Sequence, residues 1–258
     1  MPAQRSIFVT PLPCRTHGRD FRYTSAAHRR PMKRPQINPY EVPNYTIEES
    51  ARYLHVREEK ISYWVSGTDN AAPLSTIFTR RPTLLCFKNL VECFVLESLR
   101  NMHGLSLQAI RESLEELRSE KPPKYPLADY QLATRGNRLI YLDEGGNELI
   151  CLTKSGQLAF REILFPFLKR VERNEQGIAK RLFPFTRKEH LKSPTEAPRF
   201  VVIDPSVAFG MPVLINSRIS TAFLLSRKKG GASVSTLAAD YGRPEAEIEE
   251  ALQLEEAA

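Results

Sequence analysis

No C-x-x-C pair occurs anywhere in this chain. Its four cysteines stand at 14, 86, 93 and 151, a spacing that excludes zinc ribbons and thioredoxin-type redox centres. Cys86 and Cys93 flank or lie in an apolar stretch, where buried free thiols are the ordinary arrangement. The histidines at 17, 28, 55, 103 and 190 are scattered, so no metal-ligand set is expected. No run approaches the roughly 18 uninterrupted apolar residues of a membrane-spanning helix. The first 31 residues are basic but lack the apolar core of a secretory signal. We therefore expect a cytoplasmic protein with no membrane partner. Also missing are G-x-S-x-G, H-E-x-x-H and the P-loop. Glu115-Glu116 and Asp143-Glu144 are acidic neighbours, but the first fall on an exposed helix face and the second in a turn. No catalytic residues, metal or cofactor are expected.

What charge there is sits unevenly. The 258 residues carry a formal net charge of +7, and residues 1–34 hold eight Lys/Arg against one acid. The remainder is neutral overall, with −1 over 42–119, +5 over 120–199 and −3 over 200–258. Bulk charge is thus no sign of nucleic-acid binding, and motifs have to carry the case. Residues 1–40 lack helical or strand periodicity and read as a disordered basic arm. The arm either searches for DNA phosphate or extends upstream of a start at Met32-Lys33-Arg34-Pro35, so whether residues 1–31 belong to the native protein stays open.

Beyond the arm the sequence predicts an α+β fold, mostly α, in three modules at 43–120, 124–198 and 199–258. Thr46 and Glu49 make a T-x-x-E capping box, and Ile47, Ala51 and Leu54 recur at helical spacing. A short turn at His55-Val56 leads to a second helix with Ile61, Trp64 and Val65 on one face. Two short helices around so tight a turn form a helix-turn-helix. β-prone stretches at 75–78 and 84–87 flank Thr79-Arg80-Arg81-Pro82, a hairpin with a doubly cationic tip. A longer helix follows, with Leu90, Val91, Phe94, Val95 and Leu99 facing a core, and then one capped by Ser106 with Leu107, Ile110, Leu114 and Leu117 on a stripe.

In the middle module, strands at 139–142 and 148–152 are joined by the turn Asp143-Glu144-Gly145-Gly146-Asn147. A helix from Thr153 or Ser155 is expected to carry Leu158, Ile163, Leu164, Phe167, Leu168 and Val171. A basic series follows at Lys169, Arg170, Arg173, Lys180, Arg181, Arg187 and Lys188, either a solvated face or a phosphate- or partner-binding surface. The last module opens with the strand Val201-Val202-Ile203. It ends in a second helix-turn-helix, with Ser233 as cap, Val234, Leu237, Ala238 and Tyr241 at helical spacing, and a turn at Gly242.

Residues 45–119 resemble the MerR-like winged-helix domain. The likeness rests on Tyr45-Thr46-Ile47 with Ala51 and Leu54, the wing arginines, Phe87-Lys88-Asn89-Leu90 leading to Leu96, Leu99 and Arg100, and Gly104-Leu105-Ser106-Leu107 with Ile110. Arg57 departs from the usual small capping residue, and the long dimerising helix and metal-binding cysteines of metal-sensing members are missing. Residues from about 200 resemble a domain-of-unknown-function family, the 433 family, found in VapB-type antitoxins. The matching residues are Ile203-Asp204-Pro205, Gly210-Met211-Pro212-Val213, Arg218-Ile219, Gly231, Leu237-Ala238, Asp240-Tyr241 and Ile248, with Met211, Asn216 and Ser220 departing from the usual Lys or Arg, Gly and Pro. Members joined to a MerR-like N-terminus carry a similar middle segment, including Gly156-Gln157-Leu158-Ala159-Phe160 and Arg181-Leu182-Phe183-Pro184-Phe185.

Together these resemblances imply an antitoxin. It would repress its operon through double-stranded operator DNA and neutralise a PIN-like ribonuclease toxin. The alternative is a stand-alone MerR-like regulator without a toxin. A recognition helix presents polar side chains to the major groove, which makes Arg57, Lys60, Ser62 and Tyr63 the base-reading candidates. Thr46 joins them at the first helix, and Arg80 and Arg81 would contact phosphate or a minor groove. Against this, Arg57 and Lys60 have Glu58 and Glu59 beside them, and Tyr63 suits a half-buried packing role. The last helix carries six glutamates between 245 and 256, a face that phosphate repels. For the toxin, whose metal-binding carboxylates suit an arginine fork, the candidates are Arg218, Arg227, Lys228 and Lys229, with the basic series at 169–188 as the other source. Arg218 has a local role open to it as well, bracing its loop beside Asp204. A homodimer is expected because helix-turn-helix proteins usually read paired half-sites.

Overall fold

The computed structural model describes residues 37–68, 72–75, 79–80, 82–102, 106–108, 110–111, 124–129, 131–135, 138–142, 148–151 and 167–257, with backbone alone at 79–80, 101–102 and 131–151. Residues 1–36 of the arm expected over 1–40, the wing residue Arg81, the stripe positions Leu114 and Leu117, the turn at 143–147 and the motif at 156–160 lie outside the described residues, and Pro39–Glu41 form a 3-10 turn ahead of the first helix. The described chain is mixed α and β, and mostly helical.

Helix α1, Ile47–Leu54, starts where the sequence puts it. Thr46 accepts from the Glu49 amide at 3.0 Å, and the Glu49 carboxylate accepts from the Thr46 amide at 2.9 Å. Two otherwise orphaned amides are thereby satisfied. The helix closes on His55 in left-handed backbone, φ 53°. After Val56 and Arg57, helix α2 runs Glu58–Ser66 and buries Ile61, Trp64 and Val65.

Strands β1 (Thr79–Arg80) and β2 (Thr83–Leu84) pair antiparallel, Thr79 opposite Leu84 and Arg80 opposite Thr83. The hairpin differs from the expected one: Thr79 and Arg80, expected at its tip, belong to its first strand. Its second strand ends early because Cys86 caps helix α3, Phe87–Glu97, with the Asn89 side chain accepting from the Cys86 amide at 3.0 Å. Ten of the eleven α3 residues are buried, the mark of a helix inside a core and not on its surface. Buried Glu92 accepts from the Ser75 hydroxyl and from the Leu127 amide at 3.3 Å, tying α3 to both flanking segments. A π-helical stretch, Ser98–Met102, continues it.

Helix α4 is short, Pro126–Asp129. The meander β3 (Gln131–Arg135), β4 (Arg138–Leu142) and β5 (Glu148–Cys151) contains both expected strands and one, β3, that the sequence did not announce. The expected helix does not reach Val171, which begins β6 (Val171–Arg173), paired with β7 (Ala179–Leu182). The reason is a local turn: the Asn174 side chain accepts from the amides of Gln176 and Ile178, and Gly177 takes φ 75°. Leu182 then bridges Ile203 next to the ribbon β8 (Val201–Val202) and β9 (Val213–Leu214).

Three helices finish the chain: α5 (Thr221–Lys229) capped by Ser220, α6 (Val234–Tyr241) capped by Ser233, and α7 (Glu245–Glu256). One hydrophobic cluster takes residues from Tyr45 through α3 to Leu254. Phe94, Phe167 and Phe185 meet near its centre, with ring centroids 5.0–6.2 Å apart.

Candidate nucleic-acid and partner interfaces

Helix α2 carries three of the expected DNA contacts and has a fourth, Arg57, as its N-cap, and their surroundings differ. Lys60 turns to α3: its Nζ lies 2.7 Å from Glu97 and 5.6 Å over the Trp64 ring. Ser62 and Tyr63 are half-buried, with the Arg111 guanidinium 5.5 Å from the Tyr63 ring. Arg57 makes no side-chain cap and borders a cleft of about 460 Å³ with Glu58, Glu59, His55, Lys188 and Glu255. The Thr46 hydroxyl is engaged in its capping box. Arg80 reaches the hairpin as backbone in β1.

The C-terminal candidates also divide. Arg227 pairs with Asp240 at 2.8 Å, and Lys228 with Glu256 at 2.8 Å. Arg218 and Lys229 are exposed and form no ion pair among the described residues. Arg218 stands at a tight turn, where Asn216 takes φ 56° and Ser217 donates its amide to Leu214. It does not brace Asp204. That carboxylate receives Arg181 Nε and the Ser206 amide, each at 2.8 Å. Burial pushes the Asp204 pKa up, but these bonds outweigh it and hold it below the ordinary value.

The basic series is dispersed into internal ties. Arg170 is 1% exposed and donates to four carbonyls, those of Phe183, Pro184, Ala197 and Pro198, at 2.7–3.2 Å, while stacking 4.2 Å from the Phe185 ring. Burial lowers its pKa to about 9. Lys180 lies over the Tyr40 ring, Arg181 holds Asp204, and Arg187 holds Glu250.

The first helix pair and the C-terminal segment meet in a polar joint. The Tyr45 hydroxyl, on a residue 2% exposed, donates to the Gly210 carbonyl at 2.8 Å. Gly210 has φ 80°, and a Cβ there would collide with that hydroxyl. Arg52 reaches Glu255 at 3.4 Å, and Glu255 also accepts from the Thr221 hydroxyl. His55 Nε2 donates to the Phe185 carbonyl at 2.8 Å, whereas its Nδ1 is buried without a hydrogen-bond partner among the described residues. Burial, with Lys188 adding repulsion, lowers the His55 pKa against the pull of the Phe185 carbonyl.

Sequence reasoning missed Arg170, Glu250, Glu255 and the Tyr45–Gly210 contact. A signal existed for the glutamates: Glu250 and Glu255 interleave with Ile248, Ala251, Leu252 and Leu254 on the inward side of α7. Arg170 had none, since it sits in a run of like residues.

Among the described residues no group of three or more His, Cys, Asp or Glu is placed to hold a metal. No helix of the described residues is long and apolar enough to cross a membrane.

Residues 201–253 match the model of a family described as a protein of unknown function (DUF433). The chain is 26% identical over 235 residues to a Mycobacterium tuberculosis protein named "Putative antitoxin VapB45", covering 83% of this chain and 94% of that one. It is also similar in fold to the crystal structure of Rv2018 from Mycobacterium tuberculosis, with a TM-score of 0.61 and 25% identity over 83% of this chain and 99% of that one.

Proposed function

We propose that this chain is the antitoxin of a type II toxin–antitoxin pair, a non-catalytic cytoplasmic protein that binds operator DNA and neutralises a PIN-like ribonuclease by direct contact. The observation that carries this reading is the similarity, over 83% of this chain, to a protein named "Putative antitoxin VapB45". In this reading α1, α2 and the β1–β2 hairpin form a winged helix-turn-helix. Arg57, Ser62 and Tyr63 then read base edges, and Lys60 exchanges Glu97 for DNA. Thr46, Arg80 and Arg81 serve the backbone. The toxin contact falls to Arg218 and Lys229 ahead of Arg227 and Lys228, which already have carboxylate partners. An unpaired guanidinium at a turn is suited to a bidentate grip on clustered nuclease carboxylates. Two copies act together on paired half-sites.

The test uses the full chain with the nuclease encoded beside it. RNA cleavage should be suppressed at equimolar antitoxin, and Arg218→Ala should weaken suppression by about tenfold or more. Undiminished cleavage at excess antitoxin would sink the reading. Promoter DNA followed by anisotropy should show binding that weakens steeply with salt.

A further inference from the structure

Helix α5 carries a large apolar side chain where water reaches it. Phe223 is 48% exposed, on a helix whose inward residues Thr221 and Leu224 are fully buried. Its ring is held in place. It lies edge-on to Tyr241 of α6, with centroids 6.2 Å apart and planes at 73°. Tyr241 in turn packs on the hydrophobic cluster. The Tyr241 hydroxyl accepts from Arg227 at 3.3 Å, and Arg227 grips Asp240 at 2.8 Å. Three side chains from two helices thus fix one exposed ring. An aromatic group ordered before contact loses little conformational freedom on binding.

The surroundings of the ring carry mostly one sign. From 205 to 239 the sequence holds four cations, Arg218, Arg227, Lys228 and Lys229, and no Asp or Glu. Asp240 and Glu256 engage Arg227 and Lys228. Arg218 and Lys229 are exposed and form no ion pair among the described residues. Both stand close to the ring along the chain. The Ser220 hydroxyl accepts from the Phe223 amide at 3.2 Å, and Arg218 precedes Ser220 by two residues, about 7 Å of backbone at most. Lys229 follows Phe223 by six residues in the same helix, about 9 Å along its axis.

We infer that Phe223 is the anchor by which α5 and α6 hold an acidic protein partner, entering an apolar pocket there while Arg218 and Lys229 meet carboxylates around the pocket's edge. An aromatic centre within a charged rim is the usual distribution of binding energy in a protein interface. Local charge selects this occupant. Across a two-fold axis with a second copy, the unpaired cations would face their own kind. Against nucleic acid, the ring offers phosphate no donor, and exposed Asp240 beside it repels phosphate. The inference rests on the proposed antitoxin reading, in which the partner is the nuclease. Within that reading Arg227 serves as the brace of Tyr241.

Binding rates of the full chain with the nuclease encoded beside it test this, for wild type, Phe223→Glu, Phe223→Lys and the remote control Phe209→Asn. Glu and Lys are good helix formers at an exposed position, so the urea midpoints should match that of wild type. Each should weaken binding by about tenfold or more, chiefly through faster dissociation. Glu should cost more than Lys, because it brings a carboxylate to an acidic rim. Phe209→Asn removes a ring that is 91% exposed in the β8–β9 loop and should change nothing. Promoter binding and sedimentation mass should be the same in all four proteins. Unchanged nuclease affinity in both Phe223 variants overturns the anchor and leaves the antitoxin reading standing. So does a loss confined to DNA binding or to self-association. A greater loss with Lys than with Glu overturns the acidic rim. A wild type that does not bind the nuclease overturns both the anchor and the antitoxin reading.

Discussion

The α1–α2 pair and the α6–α7 pair are written in the same local grammar. Each begins with a hydroxyl cap, Thr46 or Ser233, and an eight-residue helix. Each then closes on one left-handed residue, His55 at φ 53° or Gly242 at φ 60°, and restarts three residues later. They differ in where their carboxylates go. Glu58 and Glu59 of α2 are exposed. In α7, Glu247 pairs with Arg243, Glu250 with Thr186 and Arg187, Glu255 with Thr221 and Arg52, and Glu256 with Lys228. A helix that reads as an acidic face along the sequence is mostly an internal fastening. Counting charge along a helix therefore says little about the potential it shows to a partner.

The joint between the pairs is where the comparison breaks most sharply. Gly210→Ala forces a side chain into left-handed backbone and against the Tyr45 hydroxyl. It should cost about 2–4 kcal/mol of stability, read as a fall in the urea midpoint. A change below about 0.5 kcal/mol would mean that the two pairs are not fastened there.

Next come the carboxylates themselves. Glu250→Ala leaves Thr186 and Arg187 without their acceptor and should destabilise by about 1–3 kcal/mol, whereas Glu58→Ala should stay within about 0.5 kcal/mol. Equal effects would erase the distinction between inward and outward acids.

The two left-handed caps differ in titration. His55 is held neutral by burial, with its pKa below the ordinary value. The unfolded chain therefore binds the proton more readily. The stabilisation is complete above about pH 6.5 and is lost as pH falls through the lower folded-state value. His55→Asn keeps a residue that tolerates this backbone and should flatten the acid limb of stability against pH. An unchanged limb would remove His55 from the joint's acid response.

The smallest effect on stability belongs to the wing. Arg80→Ala with Arg81→Ala should leave the urea midpoint within about 0.5 kcal/mol yet reduce the salt slope of DNA binding by about one to two units. Arg227→Ala with Lys228→Ala should not alter that slope. If the wing variant keeps the wild-type slope, the hairpin does not touch phosphate.

Local signals were legible to the residue in places. The Thr46–Glu49 box, the buried face of α2 and the caps at Ser233 and Gly242 all rest on contacts within a few positions, which sequence spacing encodes directly. The shifted hairpin and the strand at Val171 were lost to side chains acting as backbone caps, Asn89 and Asn174, whose reach outweighs apolar periodicity. The candidate sites were less legible because their character is set by distant partners. Lys60 is defined by Glu97, Arg227 by Asp240, and Arg170 by carbonyls up to 28 positions away. Nothing in the run from 169 to 188 distinguishes buried Arg170 from its half-buried and exposed basic neighbours.

The bond between Arg52 and Glu255 also sets a clock. Ribosomes add about 5–20 residues per second, so roughly ten to forty seconds separate the synthesis of one partner from that of the other. Throughout that interval α1 has no α7 to rest on, and Tyr45 has no Gly210 until most of it has passed. The nascent chain shows proteases and chaperones an inner surface that the finished chain conceals. Slower elongation, as when charged tRNA runs short, lengthens the exposure in proportion.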